Sequence, residues 1–325
     1  MDGAIVVERH GPPEVLTWRR SDPGTPGPGE VLVRHTAVGV NYIDVYHRTG
    51  LYPIEPPFTP GVEAAGVVEA TGDGVEDLRV GDRVAYTGNG PTGSYREARV
   101  LPRRRLVRLP DEVDDVTAAA IMLKGCTVEY LVRRTVAVES GDRVLLHAAA
   151  GGVGLLACQW LDAIGATVIG TVGTEAKAEL ARTHGCDHTI LYREEDVAAR
   201  VDDITDGRGV DVVYDAVGAD TFESSLDALR ARGTMVSFGN ASGPVPPVSP
   251  LVLLRKGSLF LTRPSLQHYY EDAEEAARGF AVLFEMVTSG KLRVHVGQTF
   301  PLPDVAHAHI ALEARETVGS TVLTV

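Results

Sequence analysis

Only three of the 325 residues are cysteine, Cys126, Cys158 and Cys186. They are odd in number, far apart, and form no Cys-x-x-Cys pair with a histidine at ligand spacing, so neither a disulfide framework nor a cysteine-built zinc site is expected. They read as small buried residues of a protein kept in the reducing cytoplasm. Positive charge is also short: 31 Lys and Arg stand against 44 Asp and Glu, a formal net charge of −13. Binding to nucleic acid or to anionic lipid needs clustered cations, and neither is expected as a partner. The one basic run, Arg103-Arg104-Arg105 with Arg108, is interleaved with Leu106, Val107 and Leu109 and reads as the solvated edge of a strand. No stretch of 18 uninterrupted apolar residues occurs, and Met1–Val15 lacks a basic segment followed by a long apolar one. A membrane span and a secretion signal are therefore not expected.

Hydrophobic residues make up 44% of the chain and charged residues 23%, the balance of a soluble protein with a well-packed core. The length exceeds what one hydrophobic core usually organises, which implies two domains. Proline marks the first: 12 of the 19 prolines precede residue 111, interrupting short β-type runs. Strands are expected at Ala4–Glu8, Val15–Arg19, Glu30–Val40, Gly66–Thr71, Asp82–Tyr86 and Ser94–Val100, the pattern of an antiparallel, barrel-like domain.

From about residue 117 strand-like and amphipathic runs alternate. Strands are expected at Val144–Ala149, Ala166–Val172, His188–Tyr192, Val210–Val217, Thr234–Phe238 and Ser258–Thr262, with helices at Val153–Ile164, Glu175–Thr183, Glu194–Ile204 and Phe222–Ala231. Gly165, Gly185 and Gly233 fall where helices end in a left-handed residue. Alternation of this kind requires right-handed crossovers and predicts an α/β domain with a doubly wound parallel sheet. A long helix at Tyr270–Ser289 and β-runs at Arg293–Phe300 and Ser320–Val325 follow, and this tail is expected to rejoin the first domain.

Directly after the first strand of the α/β region comes Ala149-Ala150-Gly151-Gly152-Val153-Gly154, opening a helix. Gly151 and Gly154 take the second and third glycine positions of a dinucleotide fingerprint, with Ala149 in the first. The chemistry needs this: backbone must approach a pyrophosphate closely, a helix must pack tightly on its strand, and unpaired N–H groups at the helix start must meet the phosphates. An NAD site usually ends its second strand with an acid that binds the ribose hydroxyls. Here the strand ends Val172-Gly173-Thr174 without one, and Glu175 falls in the first turn of the next helix, where it favours the helix dipole. Lys177 and Tyr192 are placed to converge on a 2′-phosphate. The expected cofactor is NADPH.

The glycine run Ala148–Gly154, the segment Gly61–Val68 and Gly81-Asp82-Arg83-Val84 resemble the medium-chain dehydrogenases/reductases over nearly the whole chain. Within that superfamily Val40–Tyr46, Gly50-Leu51-Tyr52-Pro53, Leu123-Lys124-Gly125, Tyr192–Asp196 and Val236–Gly243 resemble the zinc-free quinone oxidoreductase (zeta-crystallin) branch. The resemblance implies a Rossmann domain at 123–266, a GroES-like β-barrel-type substrate domain at 1–122, and a return to the latter at 267–325. Zinc alcohol dehydrogenases carry Gly-His-Glu where this chain has Gly61-Val62-Glu63, and a cysteine ligand where it has Asn41. Valine cannot ligate a metal, so zinc-assisted alcohol oxidation is disfavoured and Glu63 reads as a structural acid.

Direct hydride transfer from NADPH to an acceptor that delocalises the developing charge remains, and a quinone or conjugated carbonyl compound fits. Asn41 is the first candidate to donate a hydrogen bond to the charged oxygen; Tyr46 and Tyr52 are candidates for substrate binding and protonation, Tyr52 in a loop at the rim of the site. By resemblance the cofactor contacts comprise Asn41, Lys124 and Thr127 near the start of a linking helix, Gly151, Gly152, Val153 and Gly154, Gly173, Thr174, Lys177 and Tyr192. Val217, Phe238, Gly239, Asn240 and Ser242 after the fourth and fifth strands, Arg263 after the sixth, and Ser320 complete the set. Reduction of the carbon–carbon double bond of 2-alkenals or enones is an alternative, and a non-catalytic crystallin-like or RNA-binding role is one of another class, although the acidic balance opposes RNA. The apolar run Gly257–Thr262 at a sheet edge points to a homodimer.

Overall fold

Alternation of Val31 and Val33 with Leu32 and Arg34 makes Glu30–Val40 a strand with one buried face in its first half. The computed structural model describes residues 2–88 and 92–325. The chain divides into two units, one of Met1–Cys126, Tyr269–Ser289 and Val294–Val325, the other of Thr127–His268 and Gly290–Arg293. Gly290–Arg293 joins the second because Arg293 and Gln159 exchange two hydrogen bonds, at 2.8 and 3.1 Å.

In the first unit Glu30–Val40 lies between Ser320–Thr324 and Glu63–Thr71, antiparallel to both, and also pairs with Ala98–Pro102. Arg83–Thr87 and Val107–Arg108 extend one side of the sheet, and Val296–Pro301 pairs parallel to Ser320–Thr324 on the other. Val31, Val33, Val68, Val84, Leu101, Leu302, Val305 and Leu323 meet in its core. The basic run is not a strand edge throughout: Arg103–Arg105 is one 3-10 turn, and only Val107–Arg108 pairs as a strand. Arg103 and Arg108 are paired with Asp77 and Asp82 respectively, which neutralises two of the four cations locally.

The second unit is built on six parallel strands in the order His188–Leu191, Thr167–Val172, Arg143–Leu146, Val210–Asp215, Leu229–Ser237, Phe260–Thr262. The chain reverses direction of growth beside Arg143–Leu146, the switch point at which such sheets bind ligands outside their carboxyl ends. Leu145, Ile169, Ile190, Val213 and Met235 form the core. Gly152–Ile164 ends at Gly165 with φ 89°, as its sequence predicts.

Three predicted helices are shorter than their sequence pattern. Val197–Ile204 starts late because Asp196 is its N-cap, accepting from Ala199 N–H at 2.8 Å, while Glu195 turns back onto Leu191 N–H. Phe222–Asp227 stops early because Leu229 already pairs with Val210, and the left-handed residue there is Arg232, φ 62°, not Gly233. The run 270–289 divides into Leu266–Tyr270 and Ala273–Thr288, since Asp272 caps the second helix by accepting from the N–H groups of Glu274 and Glu275. Helices at Tyr42–Thr49, Pro250–Arg255 and Val305–Glu313 were not anticipated.

Candidate active site

In the second unit Ala148, at φ 57°, turns the chain out of the strand Arg143–Leu146, and Gly151 becomes the N-cap of Gly152–Ile164 with no side-chain cap. The first N–H groups of that helix are thus left for an anion. A Cβ on Gly154 would lie well inside 3.0 Å of the Ala148 and Ala149 carbonyl oxygens. That closeness holds the helix against the turn, the fit a pyrophosphate cradle requires. Beneath it the buried His147 ring bonds Thr171 Oγ1 at 3.0 Å and Ser225 Oγ at 2.9 Å, and Ser225 donates to Asp215. Burial holds His147 below its ordinary pKa despite Asp215.

At the end of Thr167–Val172, Thr174 caps the helix Glu175–Arg182 by accepting from Lys177 N–H at 3.3 Å. A Cβ on half-buried Gly173 would stand 2.9 Å from Tyr192 Oη and 3.5 Å from Arg193 Nε. Burial lowers the Lys177 pKa, the Tyr192 phenol acts against this, and the Arg193 cation adds to it. The structure therefore sets Tyr192 and Arg193 against Gly173, with Lys177 within electrostatic reach of both. Tyr192 follows the strand His188–Leu191 instead of ending it. Arg193 was missed by the sequence reading, although a cation directly after Tyr192 was its signal. Glu175 is exposed and paired with Arg182.

At the carboxyl ends of Val210–Asp215 and Leu229–Ser237 two loops are laced together. Ser242 donates to Val217 O through N–H (2.8 Å) and Oγ (2.9 Å), Phe238 N–H donates to Asp215 O, and Asp215 Oδ1 accepts from Val217 and Gly218. Phe238, Gly239 and Asn240 lie in this ensemble, and Arg263 reaches it by donating to Ser237 O at 2.8 Å. Thr127 is buried on the helix Asp115–Tyr130.

In the first unit Asn41 ends Glu30–Val40 and caps the helix Tyr42–Thr49. Its Nδ2 donates to Glu63 Oε1 at 2.7 Å, and its backbone N–H donates to Asp44 Oδ2 at 2.9 Å. A carboxylate only accepts, which fixes which end of the amide faces Glu63. Lys124 Nζ, 3.0 Å away, and Leu123 N–H also donate to the fully buried Glu63. Lys124 stands in the third turn of Asp115–Tyr130 and not at its start; the Glu63 carboxylate, not a helix end, holds it. Tyr46 is buried with its ring edge-on to Tyr52 at 5.1 Å, and Tyr52 is half-buried. Ser320 is buried and its hydroxyl donates to Ala120 O at 2.9 Å.

A second buried network adjoins Asn41. Asp44 Oδ2 also accepts from Tyr95 Oη at 2.8 Å, Tyr95 Oη lies 3.1 Å from His309 Nε2, and Arg48 Nη1 lies 3.2 Å from His309 Nδ1. Arg48 is paired with Glu313 through two hydrogen bonds, at 2.9 and 2.8 Å. Guanidinium can only donate, so His309 carries its proton on Nε2 and the donors run Arg48 to His309 to Tyr95 to Asp44. Burial raises Asp44 to about 7, with the Tyr95 and Asn41 donors opposing it and Glu63 adding to the rise.

Burial also holds His309 and His35 at about 3. Both histidines must gain a charge when the chain unfolds in acid, so their contribution is complete above the unfolded pKa near 6.5 and is lost as pH falls toward 3. Each is worth on the order of a few kcal/mol. Asp44 works oppositely, losing stabilisation as pH rises through 7, but one carboxyl is outweighed by two histidines. The urea midpoint is expected to fall steeply between pH 6.5 and 4; a midpoint that stays level across that window would show the rings are not buried neutral.

Among the described residues no group of three or more His, Cys, Asp or Glu side chains could hold a metal ion, and no helix is long and apolar enough to cross a membrane.

A six-stranded parallel sheet with a glycine turn at its switch point, carried with a mainly antiparallel unit, defines a dinucleotide-dependent oxidoreductase. Residues 27–111 match the alcohol dehydrogenase GroES-like domain and residues 152–279 the zinc-binding dehydrogenase family. A quinone oxidoreductase of Pseudomonas aeruginosa is 51% identical over 98% of both chains, and a 2-haloacrylate reductase of Burkholderia is 47% identical with the same coverage. The crystal structure of Escherichia coli quinone oxidoreductase complexed with NADPH superposes with a TM-score of 0.97 at 46% identity, covering 99% of this chain and 100% of that one. The chain belongs to the quinone oxidoreductase branch of the medium-chain dehydrogenases/reductases.

Proposed function

We propose that the protein is an NADPH-dependent quinone reductase of the cytoplasm that works without a catalytic metal. The observation that carries this is the placing of Tyr192 and Arg193 against Gly173, with Lys177 within electrostatic reach of both, where an NAD-specific site would present an acid. Residues 123–266 bind the cofactor in this reading, and residues 1–122 and 267–325 handle substrate. NADPH supplies a hydride, which together with one proton from solvent converts a quinone to its hydroquinone.

The chain's residues divide the remaining work. The uncapped start of Gly152–Ile164 receives the pyrophosphate through the N–H groups of Gly152, Val153 and Gly154, while Gly151, its own N–H donated to Ala148 O at 2.9 Å, lets the backbone approach closely. Gly173 and Thr174 leave room for the adenosine ribose, and the neighbouring cations bind its 2′-phosphate. Val217, Phe238, Gly239, Asn240, Ser242 and Arg263 line the carboxyl ends of the strands. Asn41 donates to the substrate oxygen on which charge develops, with Glu63 and Lys124 fixing its amide plane. Tyr46 and Tyr52 pack against the substrate ring.

A fluorescence titration with NADPH and NADH tests the cofactor assignment. Lys177→Ala is expected to weaken NADPH binding by roughly 10- to 100-fold, the equivalent of about 1.5–3 kcal/mol, and to leave NADH unchanged. Equal affinity of the wild type for both cofactors would refute it. The 47% identity to a 2-haloacrylate reductase favours a second reading, reduction of activated carbon–carbon double bonds; relative turnover of para-quinones, ortho-quinones and alkenals decides between them.

We also propose a homodimer formed through the sheet edge of the second unit. Phe260 is 62% exposed on the edge strand Phe260–Thr262, and Leu251 and Leu254 are exposed on Pro250–Arg255. Sedimentation at micromolar concentration should give a dimer that Phe260→Asp dissociates; a wild-type monomer would contradict it.

A further inference from the structure

We propose that Asp44 is a positioning residue for Asn41, and that the donor chain from Arg48 through His309 and Tyr95 sets how tightly its carboxylate holds that residue. The inference rests on the reading of Asn41 as the donor to the substrate oxygen.

Asn41 is gripped at two points by two buried carboxylates. Glu63 takes one hydrogen of the side-chain amide at 2.7 Å, and Asp44 takes the backbone N–H at 2.9 Å. The second amide hydrogen is thereby aimed by both anchors together, since the backbone fixes the origin of the side chain and Glu63 fixes its rotation. A catalytic donor displaced by about 1 Å loses on the order of 100-fold in rate.

Asp44 is fully buried, and its two oxygens differ: Oδ2 accepts from Asn41 and Tyr95, whereas Oδ1 has no hydrogen-bond partner among the described residues. A bare, buried carboxylate oxygen is the place where a proton resides at little geometric cost. With the proton on Oδ1, Oδ2 becomes a neutral acceptor; without it, both bonds to Oδ2 are charge-assisted and roughly twice as strong. The grip on Asn41 therefore depends on the charge of Asp44.

The groups facing Asp44 govern that charge. Tyr95 and the Asn41 N–H favour the ion, Glu63 repels it and Lys124 attracts it. Behind Tyr95, the Arg48 cation polarises His309 and hence the Tyr95 hydroxyl toward Asp44. Since burial holds Asp44 at about 7, the ion and its tight grip prevail above neutral pH, and the neutral acid with its looser grip below.

Hydride transfer to 1,4-benzoquinone should be followed in single turnovers of the full chain by NADPH absorbance from pH 5.5 to 8.5, with steady-state KM values alongside. The wild-type rate is expected to rise roughly tenfold through an inflection near 7, the order of change that about 1.4 kcal/mol produces. Asp44→Asn should give a low rate with no inflection and an unaltered KM for NADPH. Tyr95→Phe removes one donor, so its inflection should move to higher pH; should Asp44→Asn fail to fold, this variant alone decides. A wild-type profile in Asp44→Asn, or an unmoved inflection in Tyr95→Phe, overturns the proposal. Asn41→Ala separates it from the reading on which it rests: a full rate in that variant overturns the role of Asn41 itself, whereas a lost rate there beside an unchanged Asp44→Asn profile overturns only the positioning role.

Discussion

Replacing Gly154 with alanine will weaken NADPH binding by at least about 100-fold and lower the thermal midpoint. The added Cβ would fall well inside 3.0 Å of two backbone carbonyl oxygens, those of Ala148 and Ala149, and backbone atoms cannot rotate away as a side-chain end can. The helix Gly152–Ile164 must then lift from its strand or the turn must open. Overpacking of this kind costs on the order of 3 kcal/mol, which corresponds to about two decades in affinity when it falls on the binding turn. Isothermal titration with NADPH, beside a melting curve of the free protein, measures both parts. Retention of near-wild-type affinity would mean that the turn does not hold the pyrophosphate.

Asn41→Ala is expected to lower kcat by roughly 100- to 1000-fold, the usual loss when one donor to a developing oxyanion is removed. KM for NADPH should move by no more than about threefold, because Asn41 is one of many expected cofactor contacts and the glycine turn and the 2′-phosphate site are untouched. Stability should fall by only about 1 kcal/mol, since Glu63 keeps the Lys124 and Leu123 donors. The split between a large kcat loss and a small stability loss is the diagnostic result. A kcat within threefold of wild type would remove Asn41 from the chemistry.

The two predictions differ in how far sequence leads to them. Gly154 stands in a strand–turn–helix whose residues are contiguous, so spacing alone identifies the turn. The strand Glu30–Val40 and the helix end at Gly165 were legible for the same reason: alternation and a left-handed residue are local properties. Asn41 was legible as a candidate through family resemblance, but its partners were not. Asp44 lies three positions away on a helix that the short segment after Val40 did not announce. Helix ends also escaped detection where a competing local bond intervened, as at Asp196 and Asp272.

Sequence by itself determined the doubly wound sheet, the glycine turn and the missing acid at the second strand. Each depends on neighbours within a few residues, where backbone sterics and side-chain period act directly. Only the tertiary structure decided which groups fix the site. Glu63 meets Lys124 across 61 positions, Tyr95 meets His309 across 214, and Arg48 meets Glu313 across 265. Nothing in local spacing encodes such pairs. They form because burial leaves a charged or polar group no water to bond, so each must find its partner wherever the fold brings one.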